Sequence, residues 1–259
     1  MPRFASRAGI ELAYRETGRG PRVVLLHPFP LDGRAWDGQI RALAAEHRLL
    51  AVDFPGFGES APPPRDLKLS TVAAAIAELL RDDRAPAAIV GLSMGGYVLL
   101  ELLAQAPELV TAAVLADTRA GPDSAEGAEG RRRFALRAET EGVAWVAPEM
   151  LPRLLRPDAD PLAARTVIDR IAAATPAGVA AAQRAMASRA DWRPLLPGLR
   201  LPVLVIAGAR DLLIPPEESF RMAAAIPGAR LTVIPGAGHL ANLDEPEAFN
   251  RALVSFLTA

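Results

Sequence analysis

The sequence has no cysteine among its 259 residues and only one lysine, Lys68. The lack of cysteine excludes disulfide bonds, thiolate nucleophiles and cysteine-bound metals. An excess of charge of either sign is missing as well, because 29 basic and 30 acidic side chains leave a formal net charge of −1. A chain with this balance has neither the basic excess typical of nucleic-acid binding nor an acidic tail. We therefore expect no nucleic-acid partner.

Long apolar runs are also missing. No stretch approaches the roughly 20 consecutive apolar residues that a membrane span requires, and residues 1–6 lack the apolar centre of a signal peptide. We therefore expect a cytoplasmic protein with no membrane partner. Hydrophobic residues make up 51% of the sequence and charged residues 23%, which is typical of a globular protein with ample core material. The oligomeric state is not predicted by these features.

Apolar strand patterns alternate with helix patterns along most of the chain. The first residues predict a hairpin that turns at Gly9, and the continuous apolar run at 23–26 predicts a strand covered on both faces. Further strands are predicted at 48–52, 87–92, 111–116, 202–207 and 231–234. Strands that alternate with helices predict an α/β fold, with a mostly parallel sheet and helices on both of its faces.

Residues 121–190 interrupt this alternation. They contain no strand pattern, and their helical stretches are separated by prolines. Ordinary crossover helices are one interpretation, but the segment is too long for a crossover of typical length. We therefore predict a helical cap at 121–190 between two parts of one α/β core, residues 1–120 and 191–259.

The segment Gly91-Leu92-Ser93-Met94-Gly95 has the spacing G-x-S-x-G between a predicted strand and a predicted helix. In that strand–turn–helix setting the serine side chain projects above the sheet edge. The helix N-terminus adds partial positive charge where an oxyanion would form. A glycine-rich turn with an incidental serine is the alternative, but the setting favours Ser93 as a nucleophile.

A serine hydroxyl needs a base to accept its proton, and histidine, with an ordinary pKa near 6.5, suits this role. The chain has three histidines. His47 precedes a strand, at the edge opposite Ser93. His27 ends a strand before Pro28, which suits a structural role or a role in an oxyanion loop. His239 follows the last predicted strand, at the carboxyl edge where open α/β sheets form their sites. We therefore predict His239 as the base.

A carboxylate is needed to hold the imidazole and to stabilise its charged form. Asp211 follows the strand at 202–207, so it lies at the same edge as Ser93 and His239. Asp117, which ends the strand at 111–116, is the alternative. We favour Asp211, because its strand–loop context fits the role better.

Five motifs, taken together and in order, resemble the α/β-hydrolase superfamily across nearly the whole chain. They are His27-Pro28-Phe29-Pro30, the segment 53–60, Gly91-Leu92-Ser93-Met94-Gly95-Gly96, Gly208-Ala209-Arg210-Asp211 and Gly236-Ala237-Gly238-His239. The resemblance implies the α/β-hydrolase fold with an eight-stranded sheet, and an oxyanion hole of two backbone N–H groups. Proline has no N–H, so the resemblance assigns the hole to Phe29 and Met94.

Two further segments, 30–34 and Asp117-Thr118-Arg119, resemble small serine esterases and the 3-oxoadipate enol-lactonase-like group. The resemblance implies a serine hydrolase that cleaves a carboxylic ester or lactone of a small molecule through a Ser-His-Asp triad and an acyl-enzyme. Cofactor-free perhydrolases and C–C bond hydrolases that use the same triad are alternatives. A ligand receptor on the same fold is the non-enzymatic alternative.

Three side chains are candidates for substrate binding. Arg34 and Arg119 are candidates for bidentate hydrogen bonds to a substrate carboxylate, although surface ion pairing is the alternative for both. Trp145 is a candidate for lining an apolar pocket, or for packing the cap onto the core. The run Arg131-Arg132-Arg133 indicates a solvated helix face. We expect no metal and no organic cofactor, because the carboxylates are dispersed and residues 91–96 lack the lysine of a phosphate loop.

Overall fold

The computed structural model describes residues 1–64 and 66–258. Within them a single sheet of eight strands has the order β1-β2-β4-β3-β5-β6-β7-β8. The strands are β1 (Arg3–Ala5), β2 (Glu11–Thr17), β3 (Arg22–Leu26), β4 (Arg48–Val52), β5 (Ala87–Leu92), β6 (Val110–Ala116), β7 (Val203–Gly208) and β8 (Arg230–Ile234).

Most neighbouring strands of the sheet are parallel. The first hairpin, β1 with β2, is antiparallel, and β2 pairs antiparallel with β4. The other pairs, from β4 to β8, are all parallel. Every residue of β3, β5 and β7 is buried, as expected for strands covered by helices on both faces. The prediction of a mostly parallel eight-stranded α/β-hydrolase sheet is confirmed.

Helices connect the strands and cover both faces of the sheet. Among the described residues they are α1 (Asp37–Leu43), α2 (Leu69–Asp82), α3 (Met94–Gln105), α4 (Ala125–Glu141), α5 (Val146–Leu154), α6 (Pro161–Ala173), α7 (Pro176–Ala187), α8 (Pro216–Ala225), α9 (Ala241–Asp244) and α10 (Pro246–Leu257). Short 3₁₀ helices lie at Gly33–Trp36, Pro107–Leu109 and Arg193–Gly198.

Alternate residues of the central strands face two separate cores. On β3, Val24 and Leu26 belong to one hydrophobic cluster, together with buried residues of α2 and α3. Val23 and Leu25 belong to the other cluster, with Trp36 and residues of α10. Burying one aliphatic side chain of this size contributes about 2 kcal/mol of stability. The two cores therefore fix the sheet between its helices, so that the carboxyl ends of the strands share one edge.

Four helices, α4 to α7, lie between β6 and β7. Their starts follow from the sequence, because side-chain oxygens of Ser124, Asp160 and Thr175 accept hydrogen bonds from amides of the first turn. Prolines open α6 and α7 at the positions where a missing N–H costs nothing. This agrees with the helical character expected for 121–190, whereas the boundaries of the three predicted parts stay a prediction.

No helix within residues 1–64 and 66–258 is both long enough and apolar enough to cross a bilayer.

Candidate active site

Ser93 lies in the sharp turn between β5 and α3. Its φ of +53° and ψ of −113° are outside the regions that side-chain-bearing residues usually adopt. The glycines around it are required by close backbone contacts. A Cβ on Gly91 would lie 2.4 Å from the carbonyl oxygen of Gly95, and a Cβ on Gly95 would lie 2.1 Å from that of Leu26. The turn therefore holds the serine hydroxyl at the carboxyl edge of the sheet.

His239 joins Ser93 to Asp211 through two hydrogen bonds. Its Nε2 is 2.8 Å from Ser93 Oγ, and its Nδ1 is 2.7 Å from Asp211 Oδ2. The histidine side chain is fully buried, and that of Asp211 is nearly so. An imidazole that carries its proton on Nδ1 and donates it to the carboxylate leaves Nε2 free to accept the serine proton. The arrangement can therefore transfer a proton away from Ser93 Oγ as that atom attacks an electrophile.

The carboxylate of Asp211 is oriented by its own loop. Its second oxygen, Oδ1, accepts hydrogen bonds from the backbone N–H groups of Leu213 at 2.7 Å and Ile214 at 2.9 Å. Those two bonds point the other oxygen, Oδ2, at the imidazole of His239. The carboxylate is thus held in one orientation before any substrate binds.

Asp117, the alternative carboxylate, lies on the neighbouring strand end and has a different partner. Its Oδ1 accepts a hydrogen bond of 2.7 Å from the N–H of Gly208, the last residue of β7. Burial raises the pKa of Asp117 well above its ordinary value, and the negative charge of Asp211 adds to the effect. The structure thus brings Asp211, and not Asp117, to the imidazole.

The two residues expected to form an oxyanion hole are close to Ser93, because Phe29 lines the same cavity and Met94 follows Ser93 in the chain. Met94 is the first residue of α3, so its amide has no acceptor within the helix. In the part of the chain that is described, neither this N–H nor that of Phe29 donates to an acceptor. Both residues are almost completely buried. Two unsatisfied donors in a buried position are suited to a developing negative charge.

His27 fixes the loop that carries Phe29. Its Nδ1–H donates to the carbonyl oxygen of Pro28 at 2.9 Å, and its Nε2 accepts from the N–H of Phe54 at 3.0 Å. Burial lowers the pKa of His27, which favours the neutral form that this pair of bonds requires. The side chain thus ties the loop after β3 to the loop after β4, in agreement with the structural role considered for it.

A cavity of about 350 Å³ opens beside Ser93 and is called the catalytic cavity below. Phe29 lies on its core side, whereas Phe134, Met150 and Met186 reach it from α4, α5 and α7. Its size is near the lower end of the roughly 300–1,000 Å³ of small-molecule sites. Apolar groups therefore form much of the wall next to the hydroxyl.

A buried ion cluster forms another part of the cavity wall, and the sequence patterns did not predict it. The carboxylate of Asp123 contacts three guanidinium groups, those of Arg119, Arg131 and Arg189. The side chains of Asp123 and Arg189 are 4% and 3% exposed. Burial alone would raise the pKa of Asp123, but hydrogen bonds and charge from Arg189 and Arg131 outweigh it and lower the pKa to about 2. Three cations and one anion leave this cluster with an excess of positive charge, although only Arg119, Asp123 and Arg131 of its members line the cavity itself. Glu149 and Arg153 also line the cavity and add one charge of each sign.

The interpretation of Arg131-Arg132-Arg133 as a solvated helix face is wrong for its first residue. Arg132 is 58% exposed and pairs with Glu129. Arg131, in contrast, lines the catalytic cavity and donates to Asp123 from Nε and to Gln183 from Nη1. A run of like residues on a helix points to different sides, and the run itself contains no signal for which member turns inward.

The three candidate substrate-binding side chains have different surroundings. Arg119 lines the catalytic cavity. Arg34 is 43% exposed and makes a bidentate pair with Asp32, with donor–acceptor distances of 3.0 and 2.6 Å. Trp145 packs against Phe134, with ring centroids 4.5 Å apart, and so lies next to a residue of the cavity wall. Among the described residues, Arg119 is therefore the one of these three candidates that lines the catalytic cavity.

No group of three or more histidine, aspartate or glutamate side chains within 1–64 and 66–258 is arranged to hold an ion.

The chain matches the Alpha/beta hydrolase family over residues 23–252. It is similar to a thermophilic esterase from Thermogutta terrifontis, solved with malate bound, at 38% identity and a TM-score of 0.96, covering 100% of this chain and 98% of that one. It is similar to the enol-lactonase of Burkholderia xenovorans LB400, at 31% identity, a TM-score of 0.92 and full coverage of both chains. Among curated proteins it is 33% identical to a pimeloyl-(acyl-carrier protein) methyl ester esterase of Nitrosomonas europaea, over 90% of this chain and 94% of the relative.

Proposed function

Because this chain belongs to the Alpha/beta hydrolase family and is a carboxylic ester hydrolase, we propose that it cleaves small-molecule esters or lactones through Ser93, His239 and Asp211. The observation that carries the proposal is the unbroken pair of hydrogen bonds from Ser93 Oγ through the imidazole to Asp211 Oδ2. This chain of bonds reaches the wall of a cavity large enough for a small molecule.

The first half of the reaction forms an acyl-enzyme. Ser93 Oγ attacks the carbonyl carbon, and its proton moves to Nε2 of His239. The carbonyl oxygen becomes an oxyanion that accepts hydrogen bonds from the N–H groups of Phe29 and Met94. The intermediate then collapses, the bond to the leaving oxygen breaks, and the imidazolium donates its proton to that oxygen. Asp211 stabilises the imidazolium while it exists.

The second half repeats these steps with water as the nucleophile. His239 takes a proton from the water as it attacks the acyl carbon, and the same two N–H groups bind the second oxyanion. The ester bond to Ser93 breaks, the serine oxygen recovers its proton from the imidazolium, and the carboxylic acid leaves. A lactone follows the same course, except that acid and alcohol remain in one product.

Arg119 is the candidate substrate-binding residue with the most direct structural support. It lies on the cavity wall, in a cluster with excess positive charge. A guanidinium in such a place binds carboxylate groups well. We therefore expect esters with a nearby carboxylate to be cleaved faster than neutral esters of the same length. Equal rates on such a matched pair would remove Arg119 from this role.

The proposal is tested by labelling and turnover together. Wild-type protein should react once per chain with a fluorophosphonate and should hydrolyse short p-nitrophenyl esters. Ser93→Ala, with an unchanged circular dichroism spectrum, should lose both properties. A folded Ser93→Ala variant that keeps full esterase activity would falsify the proposal.

The same measurements separate the alternative functions. Faster peracid formation than hydrolysis, with hydrogen peroxide present, would indicate a perhydrolase. Turnover of a vinylogous diketone but not of esters would indicate a C–C bond hydrolase. Tight ligand binding by the wild type without any turnover would indicate a receptor.

A further inference from the structure

A second cavity, of about 570 Å³, lies beside the catalytic cavity. It is formed by the segment that follows Arg119, by the 3₁₀ helix Arg193–Gly198 and by α8. Leu196, Met222 and Ala225 give it an apolar floor. It is larger than the catalytic cavity, and the mechanism above does not use it.

Arg119 and Asp123 line both cavities. This pair of side chains therefore forms a common wall between them. Nη2 of Arg119 donates to the carboxylate of Asp123. The Nε of Arg119 is buried and has no hydrogen-bond acceptor among the described residues. The guanidinium of Arg119 is thus held by one ion pair and is only partly satisfied where it lies.

Moving Arg119 would not leave Asp123 without a partner. The carboxylate also accepts from Arg131 Nε at 2.6 Å and from Arg189 Nη1 and Nη2 at 2.6 and 3.0 Å. Breaking a buried ion pair is costly mainly when one charge is left uncompensated, and two guanidinium groups remain on Asp123 here. Of the three arginines, Arg119 can therefore turn aside at the lowest cost.

The charges around the second cavity favour a negatively charged ligand. Arg119, Arg193 and Arg221 line it, together with Glu218 and Asp123. Arg193 pairs with Asp191 through Nε and Nη2, and Arg221 pairs with Glu218 through Nη1, so each guanidinium keeps a further exposed N–H group that these pairs do not use. The charge of Asp123 is already balanced by Arg131 and Arg189, which are not part of this lining. Guanidinium groups at the rim of an apolar pocket suit an anionic group at the end of an apolar chain.

We propose that the second cavity is a distal subsite for esters whose acyl chain is too long for the catalytic cavity and ends in an anionic group. Arg119 turns aside to join the two cavities, the chain packs on Leu196, Met222 and Ala225, and its anionic end meets Arg193 and Arg221. The proposal rests on the hydrolase function of Ser93 and adds the length and the charge of the substrate.

The length of the substrate is tested with p-nitrophenyl monoesters of dicarboxylic acids, with a short chain (succinate) and a long one (sebacate). Ala225→Trp fills the second cavity from the end of α8. It should lower kcat/KM for the long ester by about tenfold or more, a loss of about 1.4 kcal/mol, and leave the short ester unchanged. Arg119→Ala should raise the ratio of long-ester to short-ester kcat/KM.

The charge of the substrate is tested with the long ester and its neutral analogue, in which the far carboxylate is a methyl ester. Arg193→Gln combined with Arg221→Gln should reduce the preference for the anionic ester by about tenfold, because the far carboxylate then loses both of its exposed guanidinium partners. Arg132→Gln is the matched control. Arg132 and Arg221 both pair with a glutamate three residues earlier on a helix, but only Arg221 lines the cavity.

Equal losses on short and long esters in Ala225→Trp, or none on either, would overturn the distal subsite. An unchanged preference for the anionic ester in the double arginine variant would overturn its anionic character. A separate readout uses Ser93→Ala, which should bind free sebacate in calorimetry, more weakly when Ala225→Trp is added. Esterase activity retained by Ser93→Ala would instead reject the proposed function. The two failures are therefore distinguishable.

Discussion

Two buried carboxyl groups lie at neighbouring strand ends, and their hydrogen bonds separate their roles. Asp211 contacts the imidazole of His239, whereas Asp117 accepts from Gly208. We expect Asp211→Asn to lower kcat by roughly 10³–10⁴-fold, because an amide favours the wrong imidazole tautomer. Asp117→Asn keeps an oxygen for Gly208 and should stay within about tenfold of the wild type. Steady-state kinetics on a short p-nitrophenyl ester measures both.

Replacing Asp117 should affect the free energy of unfolding differently from kcat. Because burial raises the pKa of Asp117, its ionised form costs stability that an uncharged amide does not. The cost is absent at low pH and appears as the pH rises through the raised pKa. Asp117→Asn should therefore be as stable as the wild type or more so at pH 8. A large kcat loss in Asp117→Asn and a small one in Asp211→Asn would reverse the assignment of the third catalytic residue.

The proposed oxyanion donor of Phe29 is its backbone N–H, so a substitution by proline removes it. Phe29→Pro deletes the N–H, and losing one such donor costs roughly 10²–10³-fold in kcat. Phe29→Ala keeps the N–H and removes only the ring, which packs on Phe57 and Phe134. Comparing kcat of the two variants, after thermal melts establish that both fold, isolates the N–H. If both variants lose the same amount of kcat, the amide of Phe29 does not bind the oxyanion.

At the level of elements, the tight turn between β5 and α3 depends on glycines, whereas α4 does not. A Cβ on Gly95 would meet the backbone oxygen of Leu26 at 2.1 Å, but on Gly130, within α4, the nearest atom is a flexible arginine nitrogen at 3.9 Å. We expect Gly95→Ala to lower the free energy of unfolding by several kcal/mol and Gly130→Ala to raise it by about 1 kcal/mol. Urea unfolding of both variants tests this; equal stabilities would show that the turn relaxes freely.

Strands and turns were predictable from the sequence where a single local pattern determines the structure. Buried strands such as β3 and β5 are continuous apolar runs, and the turn at Ser93 is surrounded by glycines that only such a turn requires. A 3₁₀ turn at Gly33–Trp36 precedes α1, because Asp32 caps the amide of Arg34. Propensity patterns do not resolve such local caps.

The ion cluster at the catalytic cavity was not predictable from the sequence, for a physical reason. Its members Asp123, Arg131 and Arg189 come from a loop, from α4 and from the segment after α7, and they meet only because those parts pack together. Each alone resembles one of the many surface charges of an arginine-rich chain. Spacing in sequence therefore located the strand-end residues Ser93 and His239, whose positions follow from strand order, but not a cluster made by tertiary packing.

At the scale of the whole molecule, the Asp123 cluster ties the helices between β6 and β7 to the loop that follows β6. Arg189 adds a contact with the ring of Tyr97 on α3, with its guanidinium carbon 4.5 Å from the ring centroid. The same side chain donates to the carbonyl oxygens of Gly121 and Met186. One buried charge network thus joins the sheet, the helix behind the nucleophile and the helices over the cavity. Losing this network should therefore lower the free energy of unfolding of the whole protein.

The pH dependence of stability tests this connection. The pKa of Asp123 is lowered from its ordinary value of 3.8 to about 2, so the ionised carboxylate stabilises the folded state above pH 3.8. That contribution, about 2 kcal/mol, is lost as the pH falls from about 4 toward 2. Asp123→Asn leaves three arginines without their carboxylate and should cost about 3 kcal/mol or more at pH 7. The difference from the wild type should shrink between pH 4 and pH 2.

Glu129→Gln is the matched control, because Glu129 is 52% exposed and pairs with the exposed Arg132. An exposed pair contributes roughly 0–1 kcal/mol, so its variant should follow the wild type at every pH. Urea unfolding at pH 7, 4 and 2.5 gives the three free-energy curves. A constant gap between wild type and Asp123→Asn across that range would mean that the proton on residue 123 does not govern the connection. The expected result is a difference in the free energy of unfolding that disappears in acid for Asp123→Asn and stays small at every pH for the control. That result would show that the ionised carboxylate of Asp123 stabilises the contact between the helices and the sheet.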